Sequence, residues 1–267
     1  MVKKLFRQEM LYYVRSLLPV YIILLGVALM GRIIQIFETD SWIYMTVSTS
    51  ASIAYAIAVA ATAGLTVMFC IVRYYKNMFS GEGYLTLTLP VTYGQHLRVK
   101  LGAALVTTLA TVVAVLLSLL VFLTTDWVVE LWKAGVFLLR EFLHATKSHG
   151  GFYIAEFILL ILAALAQQIL FYYMCISLGQ TFRKNRILAA IGIYYGIYLL
   201  TQVLATILII ILSLEILPLE AMFRWIELHQ FAAVHVLLLG GTVIVSLISL
   251  GLYYVSRWVL HKRLNLE

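Results

Sequence analysis

Apolar residues run through this chain in six long stretches, separated by shorter segments where charged and polar residues collect. The stretches cover roughly residues 17–37, 48–72, 102–125, 152–178, 187–212 and 232–255. Each is about the 20 residues that a helix needs to cross a hydrocarbon layer roughly 30 Å thick. In lipid every backbone N–H and C=O must be satisfied within the segment or in a closed barrel. Barrel strands would alternate over about ten residues. These runs do not alternate, so the pattern predicts an all-α polytopic protein with six transmembrane helices in a single transmembrane domain over residues 1–267. The three prolines fall at or outside the ends: Pro19 opens the first span, and Pro90 and Pro218 lie in loops.

Two further segments have helical periodicity of another kind. Between spans three and four, Asp126, Glu130, Lys133, Arg140, His144 and Lys147 recur on one helical face, with Trp127, Leu131, Leu138 and Phe142 opposite. A seventh span would carry several charges, each costing about 2.5–3.5 kcal/mol at the bilayer centre. The reading is therefore an amphipathic helix in the outer interface, and the alternative is an extracellular helix packed on the bundle. In the first 15 residues Val2, Phe6, Met10, Tyr13 and Leu17 line one face, with Lys3, Lys4, Arg7 and Arg15 towards another. This predicts a short helix on the inner leaflet, held by apolar burial and anionic lipid. The segment lacks a small-x-small cleavage site, so it reads as retained.

Basic residues set the direction. Lys3, Lys4, Arg7 and Arg15 precede span one, and Arg73, Lys76, Arg98 and Lys100 lie between spans two and three. Arg183, Lys184 and Arg186 join spans four and five; Arg257, Lys262 and Arg263 follow span six. These 14 of the 19 Lys and Arg residues fall on one side, which predicts that both termini are cytoplasmic. Arg32, Lys133, Arg140, Lys147 and Arg224 fall on the other. The net charge of +7 is accordingly a topology signal, and no nucleic-acid partner is expected.

Composition agrees with the pattern. Of 267 residues 63% are hydrophobic and 12% charged, against about half and a quarter in soluble domains; a soluble core of this size could not hide so much apolar surface. Cys70 and Cys175 fall in apolar runs at no disulfide or metal spacing, and read as small lipid- or core-facing residues. Arg32, Glu156 and His235 are the ionisable residues nearest the span interiors, each close enough to an end to reach the headgroups. Midplane carboxylates and proline-broken spans are missing, which disfavours ion-driven transport. No HExxH, GxSxG or GxxxxGK[ST] is present, so no catalytic residue, metal or cofactor is assigned to this chain. Small residues recur at helical spacing: Ser50, Ala54, Ala58 and Thr62; Ala56, Ala60 and Gly64; and Gly192 with Gly196. Such ridges serve packing within a bundle or a dimer seam.

The most distinctive polar stretch is Arg73 to Leu101. Gly81 and Gly83 flank Glu82 in a turn with permissive backbone, and Leu85, Leu87 and Leu89 alternate with Thr86 and Thr88 up to Pro90. The second loop on that side, Gly179 to Leu188, is short, basic and polar. Both resemble the inner loops of type-2 ABC export permeases, particularly the short bacterial permeases of peptide, antibiotic or multidrug export and self-immunity. That family's run Y-x-N-x-F-x-x-E-G-Y-L-T-x-T-L-P-V is matched here by Tyr75, Asn77, Phe79, Glu82, Gly83, Tyr84, Leu85, Thr86, Thr88, Leu89, Pro90 and Val91. Gly179, Gln180, Phe182, Lys184 and Arg186 match a G-Q-x-F-x-K-x-R setting.

The resemblance implies a six-helix permease in the bacterial cytoplasmic membrane, with an amphipathic elbow helix before span one. The first loop would dock on a cytoplasmic ABC ATPase subunit, through Tyr75, Asn77, Phe79, Gly81, Glu82, Gly83, Tyr84, Leu85, Thr86 and Pro90. The second would add a smaller contact through Gln180, Phe182, Arg183, Lys184 and Arg186. ATP and Mg would sit on that partner, present in two copies. A second permease copy or a sister permease would meet this chain near Gly192 and Gly196, and residues 214–231 resemble a re-entrant turn before the last span. The function implied is export of an amphipathic peptide, antibiotic or other hydrophobic substrate. Against it stand a first loop that merely spaces two spans, with Glu82 a surface turn residue, and a membrane immunity or sensor protein that binds a peptide at its outer face.

Overall fold

Runs of Leu, Ile, Val and Ala this long have no competing way to satisfy their backbone once they leave water, so they close i to i−4 hydrogen bonds. A computed structural model describes residues 2–37, 39, 41–81, 83, 91–123, 125–146, 150–182, 184–213, 224–225 and 227–262. Among these residues there is no strand, and seven long helices follow one another: α1 Val2–Ile36, α2 Trp42–Phe79, α3 Tyr93–Phe122, α4 Thr125–Ala145, α5 Gly150–Gly179, α6 Arg186–Ser213 and α7 Gln230–Lys262. All but α4 are long and apolar enough to cross a membrane. They fall on the six expected runs, in order.

The helices overrun the runs. The 38 residues of α2 rise about 57 Å at 1.5 Å per residue, well beyond the hydrocarbon thickness. Helix α1 runs through both the expected surface helix and the first span, so Pro19 lies inside it. There Pro19 has no N–H to donate to the Arg15 carbonyl. Against its neighbours α1 buries Leu5, Glu9, Tyr13, Leu17, Leu24, Ala28 and Gly31; of the face expected to lie in the leaflet, Val2 is exposed and Phe6 and Met10 are half-buried, while Tyr13 and Leu17 belong to the buried set. Of the expected re-entrant segment, 214–231, residues 214–223 and 226 lie outside the described residues.

The chain divides into two compact units, Met1–Met78 with Leu85–Glu141, and Phe79–Tyr84 with Phe142–Glu267. In the first, α1 and α3 run the same way and α2 runs against them. Leu24, Ala28 and Tyr55 form an apolar core with Val27, Val59, Val115 and Phe122. The Tyr55 ring stacks on Phe122 at 4.2 Å, and its hydroxyl meets Ser118 at 2.9 Å. Thr111 joins both neighbours, lying 3.1 Å from Thr66 Oγ1 and 2.7 Å from the Tyr21 hydroxyl. Most of these hydroxyls also bond a carbonyl of the preceding turn, which is how Ser and Thr are satisfied in an apolar setting. A Cβ on Gly31 would come within 2.5 Å of the Phe122 ring, so the ring packs directly on the bare α1 backbone there. At the next residue, Arg32 donates to the Leu123 carbonyl at 3.1 Å, a cation on the negative end of α3. Of the small-residue ridges of α2, Thr62 is buried and Ala58 half-buried, whereas Ser50, Ala54, Ala56, Ala60 and Gly64 are exposed.

In the second unit α5 packs against α7 and α6. Glu156 and His235, both expected near the headgroups, lie against each other, with His235 Nδ1 2.7 Å from Glu156 Oε1. Tyr153 lies against the His235 ring at 4.4 Å and donates to the Phe231 carbonyl at 3.0 Å. Cys70 and Cys175 are buried, free thiols. Among its described residues α6 has no buried side chain, and the described residues of α4 are nearly all exposed. So much bare Leu and Ile is stable against lipid tails, which are as apolar as the side chains themselves.

Candidate functional site

The distinctive loop springs from the last turn of α2 and returns into the first turn of α3. Its return is capped: the Thr92 N–H donates to Gln95 Oε1 at 3.1 Å, one half of a capping box. Thr92 itself takes an extended conformation ahead of the helix.

Both stems are held by a residue from a third helix. Glu9, only 1% exposed, points from α1 into the space between α2 and α3. Its Oε1 accepts from Asn77 Nδ2 at 2.8 Å and from Lys100 Nζ at 2.8 Å; its Oε2 accepts from Arg73 Nε at 2.9 Å. The Arg73 guanidinium lies over the Tyr12 ring at 4.1 Å, a cation–π contact that occupies its face. Glu9 and Lys100 are both out of water. Such a pair contributes little net stability, because desolvation offsets the attraction, but losing one partner strands a buried charge at a cost of about 3–5 kcal/mol. The arrangement is therefore a clamp: it holds α1, the end of α2 and the start of α3 in one register. His96, one turn before Lys100, is fully buried, and neither ring nitrogen has a hydrogen-bond partner among the described residues.

The loop residues themselves are placed as follows. Asn77 is buried and committed to Glu9. Tyr75 and Phe79 are half-buried, Gly81 is exposed, and Gly83 is buried with its N–H on the Ser80 carbonyl at 2.7 Å. Glu82, Tyr84, Leu85, Thr86 and Pro90 lie outside the described residues.

In the second unit the turn from α5 to α6 is tight. A Cβ on Gly179 would meet the Ala190 Cα and N at 2.8 Å, so glycine is required by backbone approach. Phe182 N–H reaches the Gly179 carbonyl at 3.3 Å. Asn185 takes φ 55°, a left-handed position that asparagine tolerates better than most residues. Phe182 and Lys184 are exposed, Arg186 and Gln180 half-buried; Arg183 lies outside the described residues. Gly192 and Gly196 are exposed, with nothing within 4 Å of a Cβ placed on either. Among the described residues no group of three His, Cys, Asp or Glu side chains converges to hold a metal.

Glu9 is the residue the sequence reading passed over. The signal was there: Glu9 is a lone carboxylate among Lys3, Lys4, Arg7 and Arg15, spaced four residues from Leu5 and Tyr13 on the face that α1 buries. Comparison with family models, characterised proteins and solved structures returns no match, so the fold and the site rest on the residues themselves.

Proposed function

We propose that this chain is the membrane subunit of an ATP-driven exporter of the type-2 ABC permease kind. It would couple ATP hydrolysis on a separate, Mg-dependent ATPase to export of an amphipathic peptide, antibiotic or other hydrophobic substrate. In this reading the six apolar helices cross the bacterial cytoplasmic membrane with both termini inside. The start of α1 serves as the elbow, and α4 lies in the outer interface.

The observation that carries the reading is the Glu9 clamp at the stems of the loop whose sequence resembles a coupling helix. A loop that only spaces two spans has no need of a buried carboxylate bonded to both of its stems. A loop that passes on the closure of a motor does, because force applied to its tip must move whole helices. Gly192 and Gly196, bare on an exposed helix, suit close approach by a second permease.

The test is co-expression with the ABC ATPase subunits of the same organism, one at a time, followed by purification through a tag on this chain. One ATPase is expected to co-purify in stoichiometric amount. Deletion of residues 81–90, or reversal of charge at Arg183, Lys184 and Arg186, is expected to reduce its recovery severalfold while the permease still elutes as a single species. Undiminished recovery from both variants contradicts the coupling role.

The exposed aromatic residues of α4, Trp127, Trp132 and Phe137, favour a second reading: an immunity or sensor protein that binds a peptide outside the membrane. It predicts equal protection of cells with and without a working ATPase partner, where the exporter predicts none without it.

A further inference from the structure

Beside the Glu9 clamp, the first turns of α1 and α3 enclose a groove of about 640 Å³. Its floor is apolar, made by Val2 and Phe6 of α1 and by Val99 and Gly102 of α3. The Phe6 ring lies over Gly102, with Cε2 3.6 Å from where a Cβ would stand. Two cations flank the floor, Lys3 from α1 and Arg98 from α3, and both are exposed. The Arg98 Nε is tethered to the Gly94 carbonyl at 3.3 Å, which restrains its guanidinium. Neither cation has a carboxylate partner among the described residues. Glu9, the acid of this region, is buried and already holds Arg73 and Lys100.

We propose that this groove is a binding site for one anionic phospholipid. The phosphate is held between Lys3 and Arg98, and an acyl chain lies along Val2, Phe6, Val99 and Gly102. Charge complementarity selects the occupant: two cations from two helices, with no carboxylate partner among the described residues, flank an apolar floor, and the Gln95 amide is the remaining polar group of the lining. The position agrees, because the groove opens where the long apolar run of α3 begins at Gly102, the depth at which headgroup gives way to acyl chain. The proposal rests on the reading that these helices cross a bilayer, and is independent of any ATPase. A lipid seated there ties the start of α1 to the start of α3, the two helices that Glu9 and Lys100 also join, so the clamp is sensitive to lipid charge.

The experiment uses the purified, delipidated full-length chain in detergent. It is titrated with phosphatidylglycerol, phosphatidylcholine or inorganic phosphate and read by native mass spectrometry of retained lipid and by melting temperature. One retained phosphatidylglycerol with a raised melting temperature is expected, and neither effect from phosphatidylcholine or inorganic phosphate at equal concentration. Lys3→Gln with Arg98→Gln is expected to weaken phosphatidylglycerol binding about thirty-fold. Lys4→Gln with Arg7→Gln, which removes the same charge outside the groove, is expected to leave it within about two-fold of the parent. Gly102→Leu, which fills the floor without touching a charge, is expected to abolish lipid retention. Equal loss in the two charge-removed variants would reduce the effect to general attraction and overturn the site. So would equal retention of the two lipids, or a melting shift reproduced by inorganic phosphate alone. Because the test needs neither an ATPase nor a defined orientation, its failure and that of the exporter reading are separate outcomes.

Discussion

Glu9 illustrates what one carboxylate does when placed out of water among cations. Its three bonds reach two other helices, and each would be weak on a wet surface; buried, they make the residue costly to remove. Glu9→Ala is expected to destabilise the protein by about 3–5 kcal/mol, since Lys100 is left charged and buried. Thermal melting in detergent measures this. Adding Lys100→Met to Glu9→Ala is expected to recover a substantial part of the loss, as the stranded charge goes with its partner; a double variant no better than the single would mean that the clamp is not electrostatic. This level of detail was only partly legible in the sequence. Arg73 and Lys100 were read as topology markers, and Asn77 as part of a docking surface. Partnership of residues some 64 to 91 positions apart depends on the helix rotations, which hydropathy alone does not fix. The same reason explains why the face that α1 packs inward, through Leu5, Glu9 and Tyr13, is not singled out by the apolar pattern: Val2, Phe6 and Met10 are just as apolar and stay exposed or half-buried.

At the scale of elements, two glycines mark where helices approach closest, and they differ in what blocks them. At Gly31 the obstacle is the Phe122 ring, a side chain that can turn; at Gly179 it is the Ala190 backbone, which cannot. Gly179→Ala is therefore expected to cost at least 1–3 kcal/mol, in the range for overpacking. Gly31→Ala is expected to cost less, because alanine also gains about 1 kcal/mol of helix propensity. Melting temperatures of the two variants check the order, and a larger loss at Gly31 would contradict it. The existence and sequence of the six apolar helices were fully readable from run length and composition. Their ends were not, because helices continue past the apolar run for as long as caps and neighbours satisfy them. Helix α3 begins at Tyr93 behind its Thr92–Gln95 cap, well before the apolar run at Gly102. Helix α1 carries on through the segment read as a separate surface helix.

For the molecule as a whole, the asymmetry of Lys and Arg predicts which side each loop faces. With Cys70 and Cys175 replaced by serine, a membrane-impermeant maleimide applied to intact cells is expected to label Lys133→Cys and not Lys184→Cys. Labelling at Lys184→Cys would contradict this topology, and with it the proposed docking of the loops on a cytoplasmic ATPase. The resemblance to type-2 ABC permeases contributed what periodicity could not, namely a use for two loops that lack chemistry of their own. The clamp at the stems of the first loop is what the proposed coupling would act through. Coupling is the central claim, and vanadate-sensitive ATP hydrolysis tests it most directly. The co-purifying ATPase, reconstituted in liposomes with this chain, is expected to hydrolyse ATP severalfold faster than without it, and to lose most of that stimulation when the chain carries Glu9→Ala. Hydrolysis unchanged by the presence of the chain would contradict the account.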